Sequence, residues 1–216
     1  MNFSNIKNAI ADLRKGKFVI VIDDKHRENE ADLVLAAEKA TPQKINFMIT
    51  NARGLVCVPM LGKRLDELKL PSMTKINTEL HKSKFTVSVD YRRETTTGIS
   101  AFDRARTIKA LINKKTKPND LAKPGHVFPL RCDKNGLRKR AGHTEAAIEL
   151  CKLANLYPAA VICEVIGENG KMAKINELRK MAGKYNLKII KIRDLINYTK
   201  IGRSFFTLYK SHSSYP

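Results

Sequence analysis

Long apolar segments are missing from this 216-residue sequence. A membrane-spanning helix needs about 20 consecutive apolar residues, and no run in the chain approaches that length. The first residues, MNFSNIKNAIADLRKGK, are polar every few positions and lack the apolar block of a secretory signal. We therefore expect a protein without membrane spans, located in the cytoplasm.

Cysteine is scarce, and its four positions (57, 132, 151 and 163) form neither a CxxC pair nor a zinc-binding spacing. Three of the four lie in or beside apolar runs, where reduced cysteine packs as a small hydrophobic side chain. The pattern predicts free, buried thiols.

Acidic residues are also few, with 21 Asp and Glu against 41 Lys and Arg and a net charge of +20. Such an excess serves either nucleic-acid binding through a clustered basic face or a solvated surface that attracts small anions. The bases are spread along the chain, and no RNP-like aromatic pattern, helix-turn-helix signature or zinc finger accompanies them. We favour the solvated surface and keep nucleic-acid binding as the alternative.

Nearly a quarter of these scarce acids are found in one short stretch, DDKHRENEAD at 23–32, directly after the apolar run FVIVI. A loop held between two buried strands can fix several carboxylates relative to one another. Carboxylate oxygens suit Mg²⁺, and crowded carboxylates raise one another's pKa values, which suits acid–base catalysis. A solvated charged turn would have the same composition, so the stretch alone does not decide between the two interpretations.

Apolar runs and helical spacing predict interleaved strands and helices without a strict βαβ rhythm, hence an α+β or mixed α/β domain rather than a doubly wound one. The predicted strands are 18–22, 33–37, 54–59, 85–90, 159–166 and 187–192, and the predicted helices are 6–13, 42–51, 103–113, 144–156 and 175–185. Three prolines in 118–129 predict an extended loop there.

Two turns precede helices and contain polar side chains. In RAGHTE at 140–145, Arg140, the Thr144 hydroxyl and the backbone N–H groups of a helix start could bind phosphate, while His143 could ligate a metal. A simple Thr144 N-cap is the structural alternative. TTTGIS at 95–100 admits the same two interpretations, and His126 in the PGH loop could transfer protons or merely be solvated.

The motifs RENEADL, GLVCVPM, FTVSVD, TTGISAFDRA, KPGHVFPLR, RAGHTEAA and AAVICEVIGENGKMA occur together in this order. In combination they resemble 3,4-dihydroxy-2-butanone 4-phosphate synthase, an enzyme of riboflavin biosynthesis, over about residues 5–198. The resemblance implies a compact single α+β domain with a mixed sheet flanked by helices. It also implies a Mg²⁺- or Mn²⁺-dependent carbon–carbon lyase that converts D-ribulose 5-phosphate to L-3,4-dihydroxybutan-2-one 4-phosphate and formate, as a homodimer with active sites near the interface.

The resemblance also assigns roles to residues of this sequence. Glu28 and His143 would hold the metal, and His126, Glu164 and Asp32 would carry the catalytic proton transfers. The substrate would be bound by Arg27, Glu28, Asp32, Cys57, Thr96, Thr97, Arg140, Ala141, Gly142, His143, Thr144 and Glu164, with Arg140 and Thr144 on its phosphate.

The sequence departs from the family at two places. Ala31 replaces a usual glycine, which would strain the loop if the backbone there needs a positive φ. The segment before FTVSV, around His81, lacks the usual Gly- and Thr-rich residues. We expect the catalytic domain to span residues 1–199, a peripheral tail to span 200–216, and the fused GTP cyclohydrolase II domain of many relatives to be absent. The alternative is a basic nucleic-acid-binding or regulatory protein that keeps the fold without the activity.

Overall fold

The computed structural model describes residues 3–200. Their helices are α1 (Ile6–Arg14), α2 (Pro42–Asn51), α3 (Gly62–Glu67), α4 (Ala101–Ile112), α5 (His143–Leu153) and α6 (Ile175–Tyr185), and residues 192–200 are also helical. Their strands are β1 (Val19–Ile22), β2 (Ala31–Ala36), β3 (Cys57–Met60), β4 (Val89–Tyr91), β5 (Leu121–Arg131), β6 (Ala160–Glu164) and β7 (Lys188–Lys191).

The strands form one mixed sheet in the order β4-β5-β3-β6-β2-β1-β7. The β1–β7 and β3–β5 pairs are parallel, and the β1–β2, β2–β6, β3–β6 and β4–β5 pairs are antiparallel. The predicted α+β domain with a mixed sheet flanked by helices is confirmed.

Each face of the sheet is covered by its own apolar core, because side chains alternate between faces along a strand. Leu33 and Leu35 of β2 pack on one face with residues of α2 and α4. Val34 and Ala36 point to the other face and pack with residues of α1 and α5. Both cores consist mainly of buried aliphatic side chains, so the sheet is a rigid platform for polar residues at its ends.

Two helices begin at a hydroxyl N-cap, and α5 does not. Thr41 caps α2: its hydroxyl accepts from the Lys44 N–H, and proline follows it. Ser100 caps α4, with its hydroxyl accepting from the Asp103 N–H. Helix α5 begins one residue earlier than predicted, with Gly142 as its N-cap. The N-cap interpretation of Thr144 is therefore wrong, and its hydroxyl is left for other contacts.

The predicted loop at 118–129 is mostly strand β5. Prolines are tolerated in it because Pro124 lies where the register of β4 and β5 shifts, between the paired residues Ala122 and Val127, so that no ladder N–H is needed there. The predicted strand 85–90 is mostly irregular: only Val89 and Asp90 lie in β4, while Phe85 and Thr86 make isolated bridges.

No helix within residues 3–200 is long and apolar enough to cross a membrane. Apart from Lys200, the predicted tail lies outside the described residues.

Candidate active site

Three polar or ionisable side chains lie at one end of the sheet, on the face that carries α5. Asp32 of β2 is the cross-strand partner of Glu164 of β6, and Cys57 of β3 pairs with Ile162, two residues before Glu164. Alternation along each strand places Asp32 with Val34, and Glu164 with Ile162, on the α5 side. The sheet register thus brings together residues from distant parts of the sequence.

The acidic loop between β1 and β2 is folded around Asp23. One carboxylate oxygen of this buried residue accepts from the Glu30 N–H at 2.9 Å, and the other accepts from the Glu28 N–H at 3.2 Å. The Arg27 guanidinium bridges Asp23 at 2.9 Å and Glu28 at 2.7 Å. Arg27 therefore holds two carboxylates side by side that would otherwise repel each other.

His143, the first residue of α5, faces this loop. Its Nε2 lies 3.1 Å from the Val21 carbonyl, which only accepts, so Nε2 carries hydrogen and Nδ1 is directed at the acids. Nδ1 lies 3.4 Å from the Glu28 carboxylate and 3.9 Å from that of Asp32. A backbone carbonyl that fixes the tautomer of an imidazole is the usual outer support of a metal-binding histidine.

These side chains surround a cavity of about 220 Å³. Its lining contains five acids, two arginines and one histidine, together with smaller and apolar residues: Arg27, Glu28, Glu30, Asp32, Cys57, Glu79, Ser83, Phe85, Leu130, Arg140, His143, Thr144, Ile162 and Glu164. Although the protein is basic as a whole, this cavity is acidic.

Burial and mutual charge give the acids different protonation behaviour. Burial raises the pKa of Glu28, but the hydrogen bond and charge of His143 and the charge of Arg27 outweigh it, and the pKa falls to about 2. Burial raises the pKa of Asp32 to about 7, with help from the charges of Glu164, Glu28 and Glu30 and against that of His143. The cavity therefore combines a permanently ionised carboxylate with one that exchanges protons near neutral pH.

The pKa of the His143 imidazole is raised, although burial alone lowers the pKa of a basic group. Burial lowers its pKa, yet the charges of Asp32, Asp23 and Glu28 and the Glu28 hydrogen bond raise it to about 9. The protonated ring occupies a place where a cation is favoured.

The residues present fit a hard divalent cation. One ligand atom each from Asp23, Glu28 and His143 lies within 4.8 Å of the others, and two of the three residues are buried. Two carboxylate oxygens and an imidazole nitrogen form a donor set that suits Mg²⁺ or Mn²⁺. Asp23 was not among the residues assigned to the metal from the sequence.

Arg140 forms the opposite wall of the cavity. Its Nη1 donates to the buried Glu145 carboxylate at 2.7 Å, and its Nη2 donates to Ser83 Oγ at 2.9 Å. A Cβ at Gly142 would lie 2.6 Å from Arg140 Nη1 and 3.1 Å from Arg27 Nη2, so the two guanidinium groups meet over this glycine. Thr144 lies beside them in the cavity wall. Two arginines at a helix start are well placed for a phosphate.

A sequence profile described as 3,4-dihydroxy-2-butanone 4-phosphate synthase matches residues 7–198. The chain belongs to this family. It is 50% identical over 200 residues to the 3,4-dihydroxy-2-butanone 4-phosphate synthase of Agrobacterium fabrum, covering 93% of this chain and 94% of that protein. It is 51% identical over 205 residues to the riboflavin biosynthesis protein RibBA of Endomicrobium trichonymphae, covering 95% of this chain but only 51% of that longer protein. The chain thus spans about half the length of some of the curated relatives that it matches.

Solved structures of the family have the same fold. A 3,4-dihydroxy-2-butanone 4-phosphate synthase in complex with two magnesium ions superposes with a TM-score of 0.87 at 40% identity, covering 92% of this chain and 97% of that one. The synthase of Candida albicans gives a TM-score of 0.84 at 42% identity, with 92% and 99% coverage.

The two departures from the synthase family have different outcomes. Ala31 lies in β2 opposite Ile22, is 2% exposed and is not among the residues with positive φ, so its methyl group is accommodated without strain. The atypical segment around His81 forms part of the site, because Glu79 and Ser83 line the cavity. Neither residue follows a sequence motif, so only the folded chain reveals them.

Several residues assigned by resemblance to the synthase family do not line the cavity. The Thr96 hydroxyl and N–H both donate to Asp103, an arrangement that stabilises the start of α4. Thr97 and Ala141 are exposed. His126 lies on β5, two residues before Phe128, the parallel partner of Cys57. His126 also lies outside the cavity lining, in the part of β5 between Ala122 and Val127 where the register against β4 shifts.

Cys57 does line the cavity, but its thiol is buried. Burial, with the charges of Glu164 and Asp32, raises its pKa well above the ordinary value. The side chain is therefore a neutral thiol that shapes the wall, in agreement with the packing explanation considered for it.

Proposed function

We propose that this chain is a divalent-metal-dependent lyase that converts D-ribulose 5-phosphate to L-3,4-dihydroxybutan-2-one 4-phosphate and formate in riboflavin biosynthesis. The proposal rests on the cluster of Asp23, Glu28 and His143, of which Glu28 and His143 line one cavity together with Asp32 and Glu164. Family membership supplies the reaction, and the cavity contains the residue types that it requires.

The reaction begins with removal of a proton next to a ketone, which needs a base close to neutral pH. Asp32 meets this need because its pKa of about 7 lets it take up and return a proton. Glu164, its cross-strand partner, accepts a hydrogen bond from the Leu55 N–H at 2.7 Å and is thereby held towards the same space. A divalent cation held by Asp23, Glu28 and His143 would act as a Lewis acid on adjacent substrate oxygens.

Arg140 and Arg27 are assigned to the anionic end of the substrate. Hydrogen bonds to Glu145 and Ser83 already fix the Arg140 side chain, so its remaining N–H groups can bind the phosphate with little further loss of side-chain entropy. His126 would transfer protons in the later steps.

We also infer a homodimer. Ile99 and Phe102 lie at the start of α4 and are 53% and 62% exposed, although both are large and apolar. A second copy packed on this helix would cover both apolar side chains. Analytical ultracentrifugation should give twice the chain mass. The cytoplasmic location remains a prediction.

The decisive experiment measures formate released from D-ribulose 5-phosphate with Mg²⁺, and again with excess EDTA. We expect formate with the metal, none with EDTA, and none from Glu28→Gln. Glu168→Gln makes the same chemical change on an exposed turn outside the cavity and should retain the activity.

A folded protein that releases no formate would contradict the lyase, and formate that persists in EDTA would contradict the metal requirement. The nucleic-acid alternative predicts a different result: salt-sensitive polyanion binding that weakens when the exposed Lys114, Lys115 and Lys117 are neutralised and is indifferent to Glu28→Gln.

A further inference from the structure

His126 is not an isolated loop histidine, because the Asp90 carboxylate hydrogen-bonds to both its backbone and its ring. Asp90 Oδ2 lies 2.7 Å from the ring Nδ1, and Asp90 Oδ1 accepts the backbone N–H of His126 at 2.9 Å. The Asp90 side chain is 12% exposed, whereas the His126 side chain is 42% exposed. One edge of the imidazole is therefore anchored in the protein while the rest of the ring is open to solvent or a substrate.

Two glycines allow the Asp90 carboxylate to lie this close to His126. A Cβ at Gly125 would lie 2.1 Å from the Val89 carbonyl carbon and 2.3 Å from the Asp90 nitrogen, so only glycine allows β5 to approach β4 this closely. Gly98, at a φ of +96°, comes so close to the carboxylate that a Cβ there would lie 2.0 Å from Asp90 Oδ2. The PGH and TTG motifs are thus explained together as the two sides of a clamp on Asp90 and His126.

The clamp has a chemical consequence. A carboxylate oxygen accepts hydrogen bonds, so the ring nitrogen that faces it carries the hydrogen. In the neutral ring Nδ1 is then the N–H, and Nε2, on the far edge, has the free electron pair. A histidine in this tautomer, oriented by a buried acid, can take a proton at Nε2 and return it from the same atom.

We propose that Asp90 is a positioning residue for catalysis: it selects the Nδ1–H tautomer of His126 and aims Nε2 at the reacting substrate. The inference rests on the proposed function, because it assigns to His126 a proton transfer of the lyase reaction. It adds a residue that lies outside the cavity. It also gives Gly98 of the TTTG turn a structural role, because the missing Cβ leaves room for the Asp90 carboxylate.

A purely structural role for Asp90 is the competing explanation, since its Oδ1 also ties β5 to β4. Asp90→Asn distinguishes the two because it preserves size and the backbone hydrogen bond. The side-chain amide, however, can donate to Nδ1 and so favours the Nε2–H tautomer. Asp120→Asn is the matched control: it makes the same change just before β5, where the acid contacts Arg93 and Lys117 instead of His126.

Two readouts are needed. In formate-release kinetics with saturating Mg²⁺, we expect Asp90→Asn to lower kcat by about 10²-fold or more, the size of a general acid–base contribution, and Asp120→Asn to leave it unchanged. KM should change by less than about threefold in both, because substrate binding is not addressed. In long-range ¹H–¹⁵N spectra of protein labelled with ¹⁵N-histidine, His126, assigned with His126→Gln, should be Nδ1–H in the wild type and Nε2–H in Asp90→Asn.

A wild-type Nε2–H tautomer at His126 overturns the proposal even if Asp90→Asn fails to fold. A folded Asp90→Asn variant with unchanged kcat, or one whose KM and thermal midpoint change while the tautomer is kept, also overturns it and leaves the structural explanation. Absence of formate from the wild-type protein contradicts the proposed function and the role of Asp90 together. Formate with normal kcat in Asp90→Asn contradicts the role of Asp90 alone.

Discussion

Mn²⁺ binding at Asp23, Glu28 and His143 should tighten as the pH rises from 7 towards 9, because the metal competes with a proton on His143. A metal binds the neutral imidazole. The surrounding acids raise the pKa of this ring to about 9, so at pH 7 it is mostly protonated. Glu28, whose pKa is about 2, is already ionised and adds no pH dependence in this range. Asp32 ionises near pH 7, and its charge favours a cation in the same direction.

The magnitude follows from the neutral fraction of the His143 ring. With a pKa of about 9, that fraction rises about tenfold from pH 7 to 8 and about fivefold from pH 8 to 9, then levels off. The apparent Kd should fall by the same factors, about 50-fold in total or about 2.3 kcal/mol. The direction of the pKa shift determines the sign of this pH dependence. Because the pKa of His143 is raised, the proton competes with the metal below about pH 9, and this competition disappears above that pH.

Electron paramagnetic resonance of free Mn²⁺ measures the Kd directly across this range. His143→Gln should bind more weakly and lose most of the pH slope, leaving only the smaller contribution of Asp32. His26→Gln removes an exposed histidine from the same loop and should keep the wild-type slope. An equal slope in His143→Gln and wild type, or less than about a twofold change between pH 7 and 8 in the wild type, would refute the assignment of His143 as the proton-competing ligand.

Two further perturbations test the packing around the cavity. Gly54→Ala should lower the free energy of unfolding by about 1–3 kcal/mol, because its Cβ would lie 2.4 Å from Glu164 Oε2 and 2.6 Å from the Glu164 carbonyl oxygen. The control Gly183→Ala, exposed on α6 with open space around it, should raise the free energy of unfolding by about 0.5–1 kcal/mol. Equal chemical-denaturation midpoints for the two variants would contradict this prediction. Glu145→Gln should raise KM for D-ribulose 5-phosphate more than it lowers kcat, because Arg140 loses its charged partner at 2.7 Å. The control Glu149→Gln, one turn further along α5, should change neither constant. A loss of kcat without a rise in KM would show that Glu145 does not act through phosphate binding.

Local patterns were sufficient for most of the fold. Helix α2 begins at Pro42 because a threonine cap followed by proline fixes its first turn, and α6 ends where Asn186 adopts a left-handed conformation. Strand β5 was missed because its prolines argue against a strand, and only the register shift against β4 reveals why they are tolerated. That shift depends on Gly125 meeting Val89 across the sheet, which is a long-range contact.

The site divides in the same way. Glu28 and Asp32 were identifiable because the acidic loop is continuous in sequence, and His143 because its motif is distinctive. Glu79 and Ser83 come from a segment without a recognisable pattern. Arg140 donates to Ser83 across 57 positions of the chain, and the Ser83 N–H donates to Glu79, so both contacts become visible only in the folded chain. Asp90 lies 36 positions before His126 in the sequence, and the pairing of β4 with β5 makes them partners.

The placement of acids in this basic protein follows from how each charge in the cavity is compensated. Arg27 neutralises part of Asp23 and Glu28, and the Leu55 N–H supports Glu164. Within residues 3–200 the Asp32 carboxylate has no comparable donor: His143 Nδ1 lies 3.9 Å away, beyond hydrogen-bonding distance, and burial raises the pKa of Asp32. A cation at the cluster would compete with the proton of His143 and would also lower the pKa of Asp32, because its positive charge favours both the neutral imidazole and the ionised carboxylate. We therefore expect metal binding to be coupled to the ionisation of Asp32: a cation at Asp23, Glu28 and His143 would favour the ionised carboxylate that the proposed reaction needs as its base.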